Sequence, residues 1–167
     1  MDIIWAPWRM KYIRYEALRK SKECFICTGF RSTSIEENLV LYRDPMVIVL
    51  MNKYPYNTGH LLVAPVSHVP SIEELSEEEL CKLFKTVQRT IQLLRQALRP
   101  DGFNIGINLG RVAGAGLEDH VHVHIVPRWN GDTNFMPVIA DTKVIPEALK
   151  DTYRRLREHI SLLEEER

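Results

Sequence analysis

Disulfide-competent cysteine is scarce: the 167-residue chain carries only Cys24, Cys27 and Cys81. An odd count with one close pair is not the framework of a small secreted domain. Excess charge is also missing, since 22 Lys and Arg balance 22 Asp and Glu. A neutral chain does not coat a polyanion, so no stable nucleic-acid partner is expected, although a local positive pocket remains compatible with neutrality. No apolar run approaches the ~20 residues needed to cross a bilayer. The opening MDIIWAPWRMKYIRY lacks the basic head, long apolar segment and small-residue cleavage site of a signal peptide. A cytoplasmic protein without a membrane partner is therefore expected. Repeats, low-complexity tracts and Gly-, Ser- or Pro-rich linkers are absent too, and the length suits one domain over residues 1–167.

What is present reads as alternating strands and helices. Residues 9–20 suggest a helix behind Trp5 and Trp8. ENLVLYRD and PMVIVLMN read as two strands meeting at Asp44-Pro45, and LLVAPV as a third. Ser76 with Glu79 three residues on forms a capping box that opens a long helix. Its expected apolar stripe is Leu80, Phe84, Val87, Ile91, Leu94 and Leu98. Cys81, inside this helix, is expected to be a small buried apolar residue. Arg99-Pro100-Asp101-Gly102 stops the helix, FNIGIN follows as a strand, and LGRVAGAGLED as a loop. A last helix from about Pro146 would set Leu149, Tyr153, Leu156 and Ile160 on one face. This order predicts an α+β fold: an antiparallel sheet with a long helix and a C-terminal helix packed on it.

Histidine is sparse as well, yet three of the six fall within HVHVHIVPR, residues 120–128. The intervening valines favour extended structure. Strand alternation then puts His120, His122 and His124 on one face and Val121 and Val123 on the other. A polar outer face is the simplest reading of such a row. A three-histidine metal site is a second. Strand rise opposes it, because His120 and His124 would stand ~13 Å apart at the backbone, whereas metal–nitrogen bonds are only ~2.1 Å. The third reading is nucleophilic catalysis. A neutral imidazole can attack phosphorus or carbonyl carbon if a hydrogen bond holds its other nitrogen. The middle histidine suits that role, with its neighbours orienting it and handling protons. The loop with Gly110, Gly114 and Gly116 can bring backbone N–H groups close to developing negative charge.

The pattern His-φ-His-φ-His-φ-φ, with φ apolar, resembles the signature of the histidine triad (HIT) superfamily of nucleotide hydrolases and transferases. NKYPYNTGHLLVAPVSH is similar to the upstream strand-turn-strand of that family, with Asn52 eight residues before His60. The resemblance covers roughly residues 20–135. WAPWRMKYI and PRWNGDTNFMPV resemble a narrower prokaryotic subgroup, similar to diadenosine tetraphosphate phosphorylases.

This resemblance implies cleavage of dinucleoside polyphosphates through a nucleotidyl-histidine, with a lean towards phosphate as acceptor. Hydrolysis of such substrates or of nucleoside phosphoramidates, and a noncatalytic nucleotide-binding protein, are the alternatives. His122 would be nucleotidylated, His124 would contact phosphate or the departing oxygen, and His120 would orient its neighbours or serve a metal. Asn52 stands at a ribose-binding position and Asn108 near a phosphate-contacting one. Gly114 and Gly116 are implied to meet the substrate; just before the triad, where many relatives carry Ser or Thr, the nearest residues are Gly116 and Leu117, so a backbone N–H would replace the hydroxyl. His60 is expected near the pocket. Trp129 is either a packing aromatic or a contact to base or polyphosphate. Lys53, Arg111 and Arg128 are candidate phosphate partners or solvated surface charges.

Cys24-x-x-Cys27 admits a redox reading, but no thioredoxin-like context surrounds it. It also admits a reduced, half-buried pair. Relatives within the family bind zinc through such a pair, the histidine after the GHxLxxP segment and the first triad histidine. Here these are Cys24, Cys27, His68 and His120, which implies a structural zinc; no organic cofactor is expected. A homodimer is likewise implied by resemblance alone.

Overall fold

The computed structural model describes residues 23–133 and 144–164. Helix α1 (Phe25–Arg31) leads into strands β1 (Val40–Arg43), β2 (Val47–Met51) and β3 (Leu61–Pro65). After a 3₁₀ turn at Ile72–Glu74 come helix α2 (Glu77–Leu98), strand β4 (Gly102–Ile107), a second 3₁₀ turn at Arg111–Ala113 and strand β5 (Val123–Arg128). Helices α3 (Leu149–Arg157) and α4 (Ser161–Glu164) close the described chain. The strands form one antiparallel sheet in the order β1-β2-β3-β5-β4. The expected α+β fold is borne out. The helix expected at 9–20, Trp5 and Trp8, and most of the segment after Trp129 lie outside the described residues.

Each sheet face has its own apolar cluster, because alternate side chains diverge. Val47, Val49, Met51, Leu61, Val63, Val123 and Ile125 face α2, α3 and α4 through Leu83, Leu94, Leu156 and Leu163. On the other face Val40, Ile48, Leu50, Leu62 and Ala64 meet Ile26 of α1. Strands β2 and β3 are covered on both sides and every residue in them is buried, which explains their unbroken apolar sequence.

Helix α2 starts at the expected capping box. Ser76 Oγ accepts from Glu79 N at 3.2 Å, and the Glu79 carboxylate accepts from Ser76 N at 2.8 Å. Its buried face, however, is Leu83, Thr86, Val87, Thr90, Leu93, Leu94 and Leu98. Phe84 is 46 % exposed, and Leu80 and Ile91 sit at the margin. The stripe is therefore rotated from the expected one. Two threonines enter the core because their hydroxyls donate to the carbonyls four residues back, Thr86 to Lys82 at 2.9 Å and Thr90 to Thr86 at 2.7 Å. Cys81 falls outside this face and is exposed, contrary to the buried position expected.

The C-terminal helix begins at Leu149 rather than Pro146, and Ile160 lies in the turn between α3 and α4. It is fastened where β1 bulges: the register shifts between Val40 and Tyr42. Tyr153 Oη donates to Val40 O at 2.9 Å and Arg157 donates to Leu41 O at 2.8 Å. At the other end of β1, the Arg43 guanidinium donates to Ser32 O at 2.8 Å and to the Phe30 carbonyl, satisfying acceptors around the C-terminus of α1.

A long connection, residues 52–60, carries the chain from β2 into β3. Gly59 ends it with φ +74°, and a Cβ there would overlap Leu98 Cδ1 at the end of α2. Only glycine permits both the backbone and the close approach. This contact fixes where His60 enters the sheet.

Candidate active site and metal centre

The expected strand over the histidine row is only partly a ladder. Strand β5 begins at Val123, so His124 lies within it while His120 and His122 precede it. The reason sits opposite. Pro65 has no N–H with which to extend the β3 pairing, its carbonyl accepts from the His120 side chain at 2.8 Å, and Val121 N donates instead to Val69 O at 2.7 Å. The chain nevertheless alternates. Val121, Val123 and Ile125 enter the helix-side cluster, and the three histidines share the face of α1.

The hydrogen bonds assign each ring its tautomer. His122 Nδ1 lies 2.8 Å from the His120 carbonyl, which can only accept. Nδ1 therefore carries the proton, and Nε2 presents its lone pair. Burial pushes the His122 pKa down, partly offset by that hydrogen bond, so the ring stays neutral at physiological pH. His60 is fully buried, and its Nδ1 accepts from Tyr56 N at 3.1 Å. Its Nε2–H then donates to His124 Nδ1 at 3.0 Å. His124 is left with its proton on Nε2. The rings of His122 and His124 stand 4.8 Å apart, edge to face. One imidazole thus offers a lone pair and its neighbour carries an N–H, a nucleophile beside a hydrogen-bond donor.

His60 is held to this tautomer. Burial, then the neighbouring His124 and His122, push its pKa down to about 3. In an unfolded chain the same ring titrates at ~6.5. Below that pH the unfolded state takes up a proton that folded His60 refuses until about pH 3, so folding stability falls as pH drops through this window. The expected slope from this group approaches ~1.4 kcal/mol per pH unit. Chemical denaturation of wild type and His60→Gln between pH 7 and 4 measures it; equal pH slopes would show that His60 titrates normally.

Asn52 has its amide oriented by two bonds: Oδ1 accepts from Tyr54 N at 2.9 Å, and Nδ2 faces His60 Nδ1 at 3.4 Å. It thus stands beside the histidine pair. Asn108 directly follows Ile107, the partner of Val123, and its Nδ2 reaches Gly114 O at 3.5 Å across the glycine loop. Gly114 has φ +92° and Gly116 is exposed. Trp129 is partly buried against the helix-side cluster, which favours its packing role. Arg128 is committed to Asp132, with Nε and Nη2 each 2.7 Å from a carboxylate oxygen, and to Asn104 Oδ1 at 2.8 Å. Lys53 and Arg111 are exposed.

Residues missed in the sequence complete the site. The Tyr56 ring lies 4.7 Å from that of His60 and 5.9 Å from that of His124, and the Phe25 ring meets His122 edge-on at 6.5 Å. Neither residue belongs to a periodic pattern; only the approach of the 52–60 connection and of α1 to the sheet reveals them.

Cys24, Cys27, His68 and His120 converge, with one ligand atom from each lying within 4.8 Å of all the others. His120 Nε2–H donates to Pro65 O, so its Nδ1 is the unprotonated nitrogen, and it faces Cys24 Sγ at 3.2 Å and Cys27 Sγ at 3.6 Å. His68 Nδ1 lies 3.2 Å from Cys27 Sγ. Two sulfurs and two nitrogens in this arrangement fit a closed tetrahedral metal site. The metal-free Cys24 thiol is pushed up to about 11, chiefly by burial. That is opposite to the depressed pKa of a reactive redox cysteine.

Fold and site together define a histidine triad protein, and the chain belongs to the HIT domain family, whose model matches residues 33–131. An AP-4-A phosphorylase of Mycobacterium tuberculosis is 40 % identical over 92 % of this chain and 81 % of its own length. An asymmetrical bis(5'-nucleosyl)-tetraphosphatase of Schizosaccharomyces pombe is 38 % identical over 56 % of this chain and 50 % of its own. Among solved structures, a zinc-bound histidine triad family protein from Mycobacterium smegmatis superimposes with TM-score 0.64 and 26 % identity, covering 86 % of this chain and 97 % of its own.

Proposed function

We propose that this chain cleaves dinucleoside polyphosphates of the diadenosine tetraphosphate kind by nucleotidyl transfer through His122. The observation that carries the reading is the bond from His122 Nδ1–H to the His120 carbonyl, which leaves the lone pair of the neutral ring on Nε2. Nε2 attacks the α-phosphorus, the bond to the bridging oxygen breaks, and the nucleoside polyphosphate departs as an anion whose oxygen accepts a hydrogen bond from the His124 side chain. In the second step an acceptor oxygen attacks the same phosphorus, the N–P bond breaks, and its electron pair returns to His122 Nε2, restoring the neutral ring. Asn52 holds the ribose. Asn108 with the N–H groups around Gly114 and Gly116 stabilises charge on the nonbridging oxygens. The acceptor is inorganic phosphate; the 40 % identity to an AP-4-A phosphorylase over most of the chain supports this over water.

Incubation with diadenosine tetraphosphate, with and without phosphate, tests the reading. ADP plus ATP, formed only with phosphate, is expected. AMP plus ATP, or two ADP, would make the chain a hydrolase, and absence of any product would overturn the reading. Since burial lowers the His122 pKa, kcat/KM is expected to hold level down to ~6.5 and fall only on further acidification. Loss of activity already above that pH would contradict a buried neutral nucleophile.

A structural zinc, held by Cys24, Cys27, His68 and His120, belongs to the same reading. With four protein ligands it keeps no open coordination position, so its chemistry is to cross-link α1, the segment after β3 and the histidine row. Homodimerisation and a cytoplasmic location complete the proposal. They draw support from the family and from the fact that no helix among the described residues is long and apolar enough to cross a membrane.

A further inference from the structure

After Arg128 the chain leaves β5 through Trp129-Asn130-Gly131-Asp132 and folds straight back. Asp132 N donates to Trp129 O at 3.1 Å, and Gly131 takes φ +78° at the third position of the turn. That position of a type II turn calls for glycine. The fold-back sets the Asp132 side chain, 9 % exposed, against the end of the strand it has just left. Its carboxylate accepts from Arg128 Nε and Nη2 at 2.7 Å each, from Trp129 N at 3.1 Å and from Thr133 Oγ1 at 3.2 Å. The Arg128 hydrogen bonds hold this carboxyl well below the usual carboxylate range, so it is ionised and can only accept.

A further donor comes from a distant part of the chain. Asn57, 75 residues back, is buried and donates through Nδ2 to Asp132 at 2.8 Å and to Pro127 O at 3.1 Å. Both partners are pure acceptors, so the orientation of the amide is fixed. The bond to the carboxylate is charge-assisted, which makes it stronger than a bond between neutral groups. Thr58 adds no such anchor, because its buried hydroxyl has no hydrogen-bond partner among the described residues. Asn57 thus pins the 52–60 connection to the end of β5.

From Asn57 the constraint reaches the histidines. His60 N donates to Asn57 O at 3.2 Å, which closes the turn into β3. Tyr56 N, beside Asn57, donates to His60 Nδ1 at 3.1 Å. A proton on Nδ1 would meet that donor head-on, so it is confined to Nε2, which lies 3.0 Å from His124 Nδ1. If Tyr56 N moved away, both neutral tautomers of His60 would become accessible, and one of them has no proton to donate to His124. The geometry points to Asp132 as a positioning residue: through Asn57 its carboxylate holds the 52–60 connection in the shape that keeps the His60 proton on Nε2 and so sets the His124 ring. The effect on rate rests on the reaction proposed above; the effect on the His60 proton does not need it.

Asp132→Ala, Asn57→Ala and the double variant provide the test. Each single change is expected to lower kcat for diadenosine tetraphosphate about tenfold or more, with a smaller change in KM, because a slight displacement of a group at the reacting centre costs rate. The double variant should be no slower than the slower single one, since both changes cut the same link. Ring ¹⁵N–¹H correlation spectra, with the His60 signals assigned through His60→Gln, read the proton directly. Wild type should show it on Nε2 alone, and either single variant a mixture of tautomers. A role in stability alone would lower the melting temperature of Asp132→Ala and leave the His60 spectrum and the kcat of folded protein unchanged, which would overturn the assignment. Rate losses that multiply in the double variant would overturn it too. Should Asp132→Ala not fold, Asn57→Ala gives the same spectral and kinetic test from the other end of the link. If wild type turned over no substrate, the proposed reaction would fail by itself, and the spectra would still decide: a His60 proton that stays on Nε2 in the variants refutes the link, and one that redistributes upholds it.

Discussion

His122→Ala is expected to reduce turnover of diadenosine tetraphosphate by at least ~10⁴-fold, a loss typical of deleting a covalent nucleophile, while the affinity for nucleotide changes little. Both halves follow from the geometry. The side chain contributes an unprotonated nitrogen, Nε2, in a ring 4.8 Å from that of His124. Its deletion removes the attacking atom and with it the covalent intermediate. The groups proposed to hold ribose and phosphate stand on other elements: Asn52 after β2, Asn108 and the glycines after β4. His120, in contrast, reaches His122 through its backbone carbonyl, so truncating His122 leaves the Cys/His cluster intact. Single-turnover kinetics, with acid-quench trapping of nucleotidylated protein, measure the effect. Wild type should accumulate the phosphoramidate and the variant should not; near-normal turnover in the variant would end the mechanism.

Removing the metal is expected to cost mainly stability. Zinc bound to the folded state alone adds its binding free energy to folding. Bound to all four side chains, a metal would tie Cys24 and Cys27 at the start of α1 to His68 after β3 and to His120. Losing such a cross-link, at several kcal/mol, should lower the melting temperature by on the order of 10 °C in a domain this size. Cys24→Ser should do the same and bind zinc more weakly. The rate per folded molecule should fall less, because the His122 partner is the peptide carbonyl of His120, not its ring. Elemental analysis of protein expressed with zinc, and melting curves with and without chelator, decide the matter. Protein free of zinc, or melting curves that coincide, would dismiss the metal.

Much of the site was legible because strand alternation is a local rule. Three histidines at every second position must share a face in any extended segment, and the valines between them must enter a core. The capping box at Ser76 was equally legible, since its partners are three residues apart. The rotated face of α2 was not. Thr86 and Thr90 read as polar, but carbonyls within the helix satisfy their hydroxyls, so they can be buried while Phe84 is left outside. The C-terminal helix could be expected from its apolar spacing, whereas its attachment depends on carbonyls at the β1 bulge that no pattern announces.

The gathering of Cys24 and Cys27 with His68 and His120 shows the same division. The sequence supplied four residue types suited to zinc, and family resemblance supplied their grouping. The ring contacts across 96 and 41 residues of chain exist only in the folded molecule. By itself the sequence determined the elements, the shared histidine face and the chemistry those side chains can perform, because these depend on near neighbours and intrinsic properties. The tertiary structure decided which nitrogen of each imidazole carries the proton. A proton goes where an acceptor meets it, and the deciding groups, Pro65 O, Tyr56 N and the ring of His60, come from other parts of the chain or from a turn that only the fold closes.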